Sequence, residues 1–450
     1  MKAWTVGVRA LCEFTARSGD LDLRFTPAAT AQEGMLGHQQ LKLRRPEHYE
    51  AEVPLSYEME GLLVRGRADG FDPVSNCLEE LKTYRGAFDA IPEHHRRLHQ
   101  AQAKVYAAML CQERDLPGMT VSVVYYHVDK HKETSISEYL ERTDLWAFFE
   151  QQCRAYVAWG RQEQKHRLAR DQACTALQFP YEQFRAGQRQ LAVAAFRAQR
   201  DAQCLLAQAP TGIGKTLAVI FPGLKAMPEA GLDKLFYLTA KNSGRQMALD
   251  ALQRLSPDGE GAWRVLEMVA RDKQCPNPDK ACHGQSCPLA EGFYDRLPAA
   301  RQQALEQPML TSQRLQQVAS EHQVCPYYLS QEMLRWADAI VGDYNYFFDT
   351  HAVLYSQTLV QQWRSAVLVD EAHNLVERGR AMYSASFDQG QLLTLRQSKP
   401  QGLSSALDRL NHALADYEVV GLPTNLAFLR QQGCDEIQGH WLSRPIDGDR

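Results

Sequence analysis

Apolar and polar positions along the middle of the chain predict a strand, a loop and a helix in succession. Apolar runs at residues 204–207 and 217–220 flank a glycine-rich turn, which is typical of a strand that feeds a helix. A third apolar run at 367–369 predicts a buried parallel strand, and it ends in two acidic residues. Further along, the spacing of apolar residues in 391–419 predicts helix. This part of the chain is therefore expected to be α/β.

The first third of the chain shows its own pattern. Residues 64–70 and 77–83 predict two strands joined by a turn at Asp72-Pro73. Period-two alternation in the second strand places Glu80 and Lys82 on one face and Leu81 on the other.

Helices are predicted on both sides of this pair of strands. They cover residues 34–38 and about 94–111, and a long linking helix is expected from near Ser135 to a boundary near 174–178.

The glycine-rich turn has the composition of a phosphate-binding loop. Residues 209–216 read A-P-T-G-I-G-K-T, with Ala209 where the usual pattern has its first glycine. The backbone N–H groups of the loop and the N-terminus of the following helix favour phosphate oxygens. We expect Lys215 to reach the β- and γ-phosphates of ATP and Thr216 to ligate Mg²⁺. The expected nucleotide-binding residues are Gly212, Ile213, Gly214, Lys215 and Thr216.

The acidic residues after the third apolar run complement this loop. In open α/β sheets, ligands bind at the carboxyl ends of the strands, which is where Asp370 and Glu371 follow 367–369. Asp370 is expected to hold Mg²⁺ through water and Glu371 to orient or deprotonate the attacking water. His373 is expected to couple the nucleotide site to a neighbouring domain. Taken alone, the loop at 209–216 could be an ordinary glycine turn and the acidic pair an exposed strand end. The occurrence of both motifs in this order favours ATP binding.

Composition excludes several classes of protein. The chain has 450 residues, 44% of them hydrophobic and 23% charged, which describes a globular protein of several domains. No apolar run is long enough to span a membrane, and residues 1–9 lack the apolar core of a signal peptide. We therefore expect a cytoplasmic protein with no membrane partner. A net charge of −4 neither indicates nor excludes nucleic-acid binding.

Four of the eleven cysteines form a candidate metal site. Cys275, Cys282, Cys287 and Cys325 are spaced C-x6-C-x4-C-x37-C, and the first three lie in a loop rich in proline and glycine. Such a loop builds no core of its own and needs a cross-link or a metal. Zinc sites usually use closer pairs, although His283 keeps a mixed zinc site open, and an iron–sulfur cluster accepts this wider spacing. The other cysteines are expected to be core residues or free thiols, at positions 12, 77, 111, 153, 174, 204 and 434.

The order of these motifs resembles that of the iron–sulfur superfamily 2 helicases of the XPD/DinG type. The four cysteines lie between the phosphate loop and the Asp-Glu-Ala-His box at 370–373, as in that family. Segments 179–188, 235–239 with Gln246, 325–328 and 337–346 resemble other motifs of the family. The resemblance implies a [4Fe–4S] cluster at the four cysteines, adenine contact by Gln188, and unwinding with 5′-to-3′ polarity.

The resemblance is confined to about residues 178–375, and no second motor domain with its arginine motif is expected in this chain. Residues 381–450 resemble part of the helical arch insertion of the family. We therefore expect a fragment of a longer protein, which binds ATP but hydrolyses it slowly when alone.

Residues near the N-terminus predict a different chemistry. Asp69 closes the first strand, so it can converge with Glu80 and Lys82. Two carboxylates hold a divalent ion, Mg²⁺ or Mn²⁺, that stabilises charge at a scissile phosphate, and Lys82 positions or activates the water. His38 is a candidate further ligand, and Gln102 and Tyr106 lie one helical turn apart, where they can orient DNA.

This arrangement resembles the RecB/AddB branch of the PD-(D/E)xK nucleases. The motifs G-x3-H, G-R-x-D, E-x-K and Q-x3-Y occur in that order over about residues 30–130. Basic residues near the site, Arg96 and Arg97 among them, form either a solvated helix face or a phosphate-contacting face. The resemblance implies a nuclease fold, active or inactive, that binds DNA.

The sequence therefore predicts a PD-(D/E)xK nuclease domain followed by a RecA-like P-loop domain, both α/β, with an iron–sulfur insertion and the start of a helical arch. The predicted ranges are 1–172 for the nuclease-like domain and linking helix, 173–271 and 331–380 for the RecA-like domain, 272–330 for the insertion, and 381–450 for the arch.

The expected function is ATP-dependent DNA unwinding coupled to cleavage of DNA ends or flaps, in repair or replication, on single-stranded or branched DNA. The alternative is an ATP-regulated DNA-binding module whose nuclease fold is inactive and which needs a missing domain or partner.

Overall fold

The computed structural model describes most of the chain. Its contacts divide into two units, Met1–Gly379 and Arg380–Arg450. The residues described are 4–24, 29–256, 262–384, 389–398 and 403–419. Among these residues, every helix is too short or too polar to cross a membrane.

The first domain is a six-stranded mixed sheet covered by helices. Strands β1 and β3 are parallel, as are β4 and β5, whereas β2–β3, β3–β4 and β5–β6 are antiparallel. Its elements are β1 (Trp4–Gly7), α1 (Val8–Thr15), α2 (Ala31–Leu43), β2 (Glu50–Met59), β3 (Leu62–Asp72), β4 (Cys77–Tyr84), a 3-10 turn (Phe88–Ala90), α3 (Glu93–Arg114), β5 (Gly118–His127), β6 (Lys132–Glu141) and α4 (Arg142–Ala176).

The core of this domain lies between the sheet and α3. Helix α3 contributes a run of buried small and apolar residues, among them Leu98, Ala101 and Val105, and β3 and β5 face it with Val64 and Val123. Helix α2 begins at a capping box, in which Thr30 accepts from the backbone of Glu33 and the Glu33 carboxylate accepts from Thr30. The predicted helices at 34–38 and 94–111 and the strand at 77–83 are therefore confirmed by α2, α3 and β4.

The start predicted for the linking helix is wrong. Ser135 lies in strand β6, and the helix begins at Arg142. Strand β6 pairs antiparallel with β5 over its whole length, and the Ser137 hydroxyl donates to Ser122 at 2.9 Å. Since Thr134 and Ile136 are β-branched, the paired ladder is favoured over a helix at this point.

The second part of unit Met1–Gly379 is a parallel five-stranded sheet in the order β11-β7-β10-β8-β9. Its elements are α5 (Gln188–Arg200), α6 (Lys215–Ala230), β7 (Lys234–Leu238), α7 (Asn242–Leu255), β8 (Val265–Glu267), α8 (Arg271–Gln274), α9 (Phe293–Leu305), β9 (Met309–Leu310), α10 (Ser312–Glu321), α11 (Pro326–Met333), β10 (Ala339–Gly342), α12 (Asn345–Phe348), α13 (Val353–Gln361), β11 (Ser365–Val369) and a 3-10 turn (Ala372–Asn374).

The strand predicted at 204–207 is not formed. Residues 203–210 have no regular secondary structure, and Leu206 is 88% exposed. A strand requires a neighbour to complete its backbone hydrogen bonds, and within the described residues this segment pairs with none. The predicted strand at 367–369 is confirmed, because it lies inside β11.

The last helices are α14 (Leu375–Met382), α15 (Gln389–Gln397) and α16 (Ser404–Val419). Helices α15 and α16 confirm the helical pattern predicted for 391–419, and Arg396 pairs with Asp408 between them at 2.7 Å. Residues 420–450 lie outside the described residues, and with them Cys434 and the rest of the predicted arch.

A buried carboxylate joins helix α4 to the parallel sheet. Asp338, which precedes β10, accepts from the backbone of Arg264 at 2.8 Å and from the Arg170 guanidinium at 3.1 Å, and it lies 2.7 Å from His166 Nε2. Burial alone would raise the pKa of Asp338, but the hydrogen bond with His166 and the positive charges of Arg170 and Lys234 hold it well below its usual range.

Arg167 and Glu163 extend this connection on the same helix. Arg167 pairs with Asp233 at 2.8 Å, and Glu163 pairs with Arg264 at 2.9 Å. Helix α4 therefore continues from the first domain into a fixed set of ion pairs on the second sheet.

Replacing Asp338 with Ala is expected to lower the free energy of unfolding by about 3 to 5 kcal/mol, because the buried Arg170 would lose its buried carboxylate and keep only the more exposed Asp171. Because the folded-state pKa is depressed, the contribution of Asp338 is present above the ordinary carboxyl pKa and is lost as the pH falls below it. The difference between wild type and variant, measured by denaturant unfolding, should therefore shrink in acid.

Asp201→Ala is the matched control, because Asp201 is an exposed carboxylate that pairs with Arg200 on the surface. It should leave stability nearly unchanged. Equal effects of the two substitutions would show that Asp338 does not hold the helix.

Candidate functional site

The glycine-rich loop adopts a conformation that favours glycine at two positions. Gly212 and Gly214 have φ values of +87° and +80°. Gly214 is the N-cap of α6, so Lys215 and Thr216 begin that helix. The loop, with Ile213 between the two glycines, thus leads into a helix N-terminus, which is the geometry that attracts phosphate.

Lys215 lies between the loop and the acidic box. Its Nζ donates to the Ala209 carbonyl at 3.3 Å and is 3.7 Å from Glu371 Oε1. Glu371 has a φ of +52°, an uncommon conformation for a residue other than glycine. His373 lies 3.5 Å from Glu371 and is largely exposed. The structure therefore brings Lys215 and the acidic pair to one place.

Asp370 is half-buried beside Lys215 and two hydroxyl groups. Burial and the neighbouring charge of Glu371 raise its pKa, against the opposing hydrogen bonds of Tyr237 and Thr239. The Tyr237 hydroxyl also lies 3.5 Å from the Thr216 hydroxyl. A cation between Thr216 and Asp370 would lower the pKa of Asp370 and relieve its repulsion with Glu371.

Tyr344 fixes the backbone of the acidic box. This buried tyrosine donates to the carbonyl of Asp370 and lies 3.1 Å from that of Glu371. Sequence patterns gave no sign of this role, because a single tyrosine after a strand has many uses.

Gln188 contacts the phosphate loop. Its Nε2 donates to the Gly214 carbonyl at 3.2 Å, and its Oε1 accepts from the Arg185 backbone at 3.0 Å. The Arg185 side chain donates to the Gly212 carbonyl at 2.6 Å. In this structure both residues brace the loop, and contact of Gln188 with adenine remains a prediction.

A polar cleft of about 550 Å³ opens near the carboxyl ends of β7 and β10. Two tyrosines, Tyr327 and Tyr346, line it together with five basic residues. The basic residues are Lys241, Arg245, Arg271, Lys273 and Arg378. Arg245 pairs with Glu267 and Arg378 with Asp343, both at 3.3 Å, whereas Lys241, Arg271 and Lys273 form no ion pair within the described ranges. The cleft leaves no pattern in the sequence, because its residues come from separate parts of the chain.

Two of the candidate cysteine ligands, Cys275 and Cys282, lie near a third, Cys325. Burial raises the pKa of Cys325, and the nearby thiols of Cys275 and Cys282 raise it further. The buried fourth cysteine, Cys287, lies 3.8 Å from the side-chain amide of Asn277.

Among the described residues, no three ligating side chains stand in metal-binding geometry. The Nδ1 atom of His283, in the same loop, is buried without a hydrogen-bond partner in the described structure. Four thiols, two of which lie near Cys325, fit a thiolate-bound metal group in their chemistry, and His283 of the same loop adds a nitrogen donor.

The predicted nuclease residues meet on strands β3 and β4. The Gly70–Glu79 pair of the antiparallel ladder places Asp69 beside Glu80. Asp69 accepts from the backbone of Leu81 at 2.7 Å and lies 3.5 Å from His38, and Lys82 donates to Glu80 at 2.5 Å.

These two carboxylates have opposite pKa shifts. Burial raises the pKa of Glu80, and the negative charge of Asp69 adds to this against the attraction of Lys82. Burial opposes ionisation of Asp69 too, but hydrogen bonds from His38 and the backbone of Leu81 bring its pKa below the usual range. A divalent ion would satisfy both carboxylates.

Glu79 belongs to the opposite face of β4. It accepts from Arg45 at 2.8 Å and from Tyr49 at 2.9 Å. The predicted alternation of Glu80 and Lys82 is therefore confirmed, and the adjacent glutamate is outside the site.

Gln102 and Tyr106 face the interior and are buried. The Tyr106 ring packs on Gly66, where a Cβ would lie 2.7 Å from the tyrosine oxygen. The two motifs that contain Gly66 and Tyr106 are thus packed together behind Asp69.

The basic residues near this site are paired with carboxylates. Arg96 and Arg97 lie 3.1 and 3.2 Å from Glu93, and Lys104 lies 3.5 Å from Glu138. This favours a solvated, ion-paired helix face over free phosphate contacts. The sequence shows these positive charges but not the carboxylates that pair with them in the folded chain.

Part of the chain is similar to known proteins. Residues 262–392, which contain the four cysteines and the acidic box, match the DEAD_2 family. The chain is 26% identical over 197 residues to Regulator of telomere elongation helicase 1 of Homo sapiens, covering 41% of this chain and 15% of that protein. It is 25% identical over 224 residues to General transcription and DNA repair factor IIH helicase subunit XPD of Dictyostelium discoideum, covering 44% and 29%.

A solved structure described as truncated XPD is 17% identical, with a TM-score of 0.35, over 50% of this chain and 64% of that one. The chain thus spans less than two thirds of each relative. The sequence matches support an XPD-like superfamily 2 helicase, which confirms the predicted resemblance at this level. The nuclease domain and the iron–sulfur cluster remain predictions.

Replacing Gly66 with Ala is expected to cost about 1 to 3 kcal/mol of stability, because the new methyl group would overlap the Tyr106 ring. Denaturant unfolding measures the loss. The cost should fall in a Tyr106→Ala background, where the ring is gone.

Gly379→Ala is the control, since a Cβ there meets nothing within 4 Å. If Gly66→Ala is as stable as this control, the packing of Gly66 against Tyr106 is contradicted.

Proposed function

We propose that this chain is part of an ATP-dependent DNA helicase of the XPD type, joined to a metal-dependent DNA nuclease. One observation carries the motor half of the proposal. The phosphate loop, Lys215 and the acidic pair converge at the carboxyl edge of the parallel sheet, with Lys215 3.7 Å from Glu371. The sequence similarity to helicases over the region of the acidic box supports the same conclusion.

The site residues divide the chemistry of ATP hydrolysis among them. Backbone N–H groups of the loop cradle the phosphates, and Lys215 leaves its contact with Ala209 to bind their outer oxygens. Thr216 and Asp370 would hold Mg²⁺. Glu371 orients the attacking water, and the exposed His373 is free to contact a neighbouring domain.

Single-stranded DNA is the ligand that suits the basic cleft. Lys241, Arg271 and Lys273, which have no ion-pair partner among the residues that the structure describes, supply positive charge for phosphates, and Tyr327 and Tyr346 supply rings on which bases can stack. Thr239 links the cleft to the ATP site, because its hydroxyl bonds Asp370 and also lines the cleft. Bound DNA can thus influence the ion-binding carboxylate through one side chain.

The nuclease half rests on Asp69, Glu80 and Lys82. The two carboxylates, with His38, would hold Mg²⁺ or Mn²⁺, and Lys82 is close enough to Glu80 to position a water beside the ion. Buried Gln102 and Tyr106 support this site from behind. If the chain binds DNA and the ion without cleaving DNA, the alternative function applies, which is an ATP-regulated DNA-binding module with an inactive nuclease fold.

A [4Fe–4S] cluster is the group proposed for Cys275, Cys282, Cys287 and Cys325. Its thiolate bonds would fold the loop onto α11, next to the cleft residue Tyr327. Zinc with His283 is the competing occupant, and metal analysis of anaerobically purified protein separates the two.

One helicase relative is named as a DNA repair factor, and we propose a role in DNA repair for this chain. The cytoplasmic location and the 5′-to-3′ movement expected from the sequence complete the proposal. Unwinding requires motor parts beyond those described in this structure.

Lys215→Ala is expected to weaken ATP binding at least about tenfold, a loss of about 1.4 kcal/mol, because the phosphates lose their cation. Glu371→Gln should bind ATP but lose DNA-stimulated hydrolysis. Fluorescent-nucleotide titration and phosphate release measure the two steps.

Lys225→Ala is the control within the same helix, because Lys225 contacts the carbonyls of Thr175 and Leu177, away from the loop. Wild-type nucleotide affinity in Lys215→Ala would show that the loop is not the ATP site.

Glu80→Gln is expected to abolish binding of Mn²⁺ to the first domain, whereas Glu79→Gln should leave it intact, because Glu79 pairs with Arg45 on the other face. Calorimetric titration with Mn²⁺ in the absence of nucleotide makes the comparison. Equal affinities in both variants would place the ion elsewhere and remove the basis for the nuclease.

A further inference from the structure

A short segment of the first domain crosses to the loop between α8 and α9, residues 275–292, which is called the cysteine loop. This segment, residues 18–24 after helix α1, is called the strap. The backbone of Leu21 donates to Ala290 at 2.8 Å and that of Leu23 donates to Cys282 at 3.0 Å, with an antiparallel bridge between Asp22 and His283. The strap therefore forms backbone pairs with the loop that carries three of the four candidate ligands.

Asp20 ties the strap to the loop by its side chain. Its Oδ1 accepts from the backbone of Gly292 at 2.7 Å. A Cβ at Gly284 would lie 1.9 Å from its Oδ2, so the carboxylate occupies space that only a glycine leaves open. In the other direction, the Asp295 carboxylate, in α9, accepts from the backbone of Gly19 in the strap at 2.9 Å.

The first domain also contacts the strap and the start of helix α9 beside it. The Arg17 guanidinium lies 5.2 Å above the ring of Tyr294 in α9, and His94 of α3 packs against that ring at 5.4 Å. A Cβ at Gly19 would lie 3.3 Å from the guanidinium of Arg97. The strap is thus fixed between α3 and the cysteine loop.

The loop between Cys282 and Cys287 has little structure of its own. It has the sequence C-H-G-Q-S-C, and within it Ser286 and Cys287 bond back to the His283 carbonyl. The bridge between Asp22 and His283 and the Asp20 carboxylate beside Gly284 both lie along this stretch. Cys287 is 8% exposed.

We propose that the strap positions Cys282 and Cys287, with Asp20 as its principal side chain, so that the first domain completes the metal-binding loop of the insertion. The role of the cysteines as ligands rests on the proposed function. The positioning of their loop by the strap does not, and it can be measured without metal.

The test measures alkylation rates of individual cysteines in the metal-free full chain by peptide mass spectrometry. In Asp20→Ala, Cys287 should react about fivefold faster, the factor expected from loss of one partly buried hydrogen bond. Asp20→Asn keeps the acceptor oxygen and should react as wild type. Asp279→Ala removes an exposed charge from the same loop and is the matched control.

Cys111 and Cys153 report whether each variant is folded. Both are buried in the core of the first domain, so they should stay unreactive in every variant. Equal rates at Cys287 in Asp20→Ala, Asp279→Ala and wild type would overturn the proposal.

Gly284→Ala gives an independent test. The added methyl group would displace Asp20, so the variant should expose Cys287 as Asp20→Ala does. Because the clash needs both groups, Asp20→Ala combined with Gly284→Ala should be no more reactive than Gly284→Ala alone. Additive effects of the two changes would contradict a direct contact.

Iron retention separates this inference from the proposed function. If the cysteines hold a cluster, Asp20→Ala should lose iron faster than Asp279→Ala. Protein that binds no iron, yet shows the alkylation difference, would leave the strap in place and refute the cluster.

Discussion

The buried carboxylate of Asp338 is the constraint on which the arrangement of unit Met1–Gly379 depends. An ionised group removed from water is costly unless its hydrogen bonds are satisfied, and here His166, Arg170 and the backbone of Arg264 satisfy them. Two of these partners come from helix α4, which begins at the first domain. The carboxylate therefore sets where that helix lies on the parallel sheet.

Strand β10 connects Asp338 to the ATP site. Asp338 precedes β10, and Tyr344 follows it and bonds the backbone of Asp370 and Glu371. A shift of β10 would move both ends together. The strap forms a second, separate contact between the first domain and the cysteine loop, centred on Asp20.

Sequence patterns predicted the features that depend on local period and spacing. Glu80 and Lys82 share a face because side chains alternate along a strand. A glycine stands at position 214, the N-cap of α6, because the backbone there has a positive φ, which favours glycine. The patterns failed where pairing decides the structure. Ser135 joins a strand because β5 offers a ladder, and 204–207 stays irregular because it finds no neighbour in the described sheet. Asp338 and Asp20 gave no signal, since their partners lie far away in the chain.

Cleavage of end-labelled DNA with Mn²⁺ is the measurement that decides whether two independent chemistries lie on one connected frame. We expect the wild-type chain to cut DNA, Lys82→Ala to stop cutting while retaining ATP binding, and Lys215→Ala to keep cutting while losing ATP binding. If the wild-type chain cuts neither single-stranded, duplex nor branched DNA, the first domain is not a nuclease but a DNA-binding accessory of a helicase.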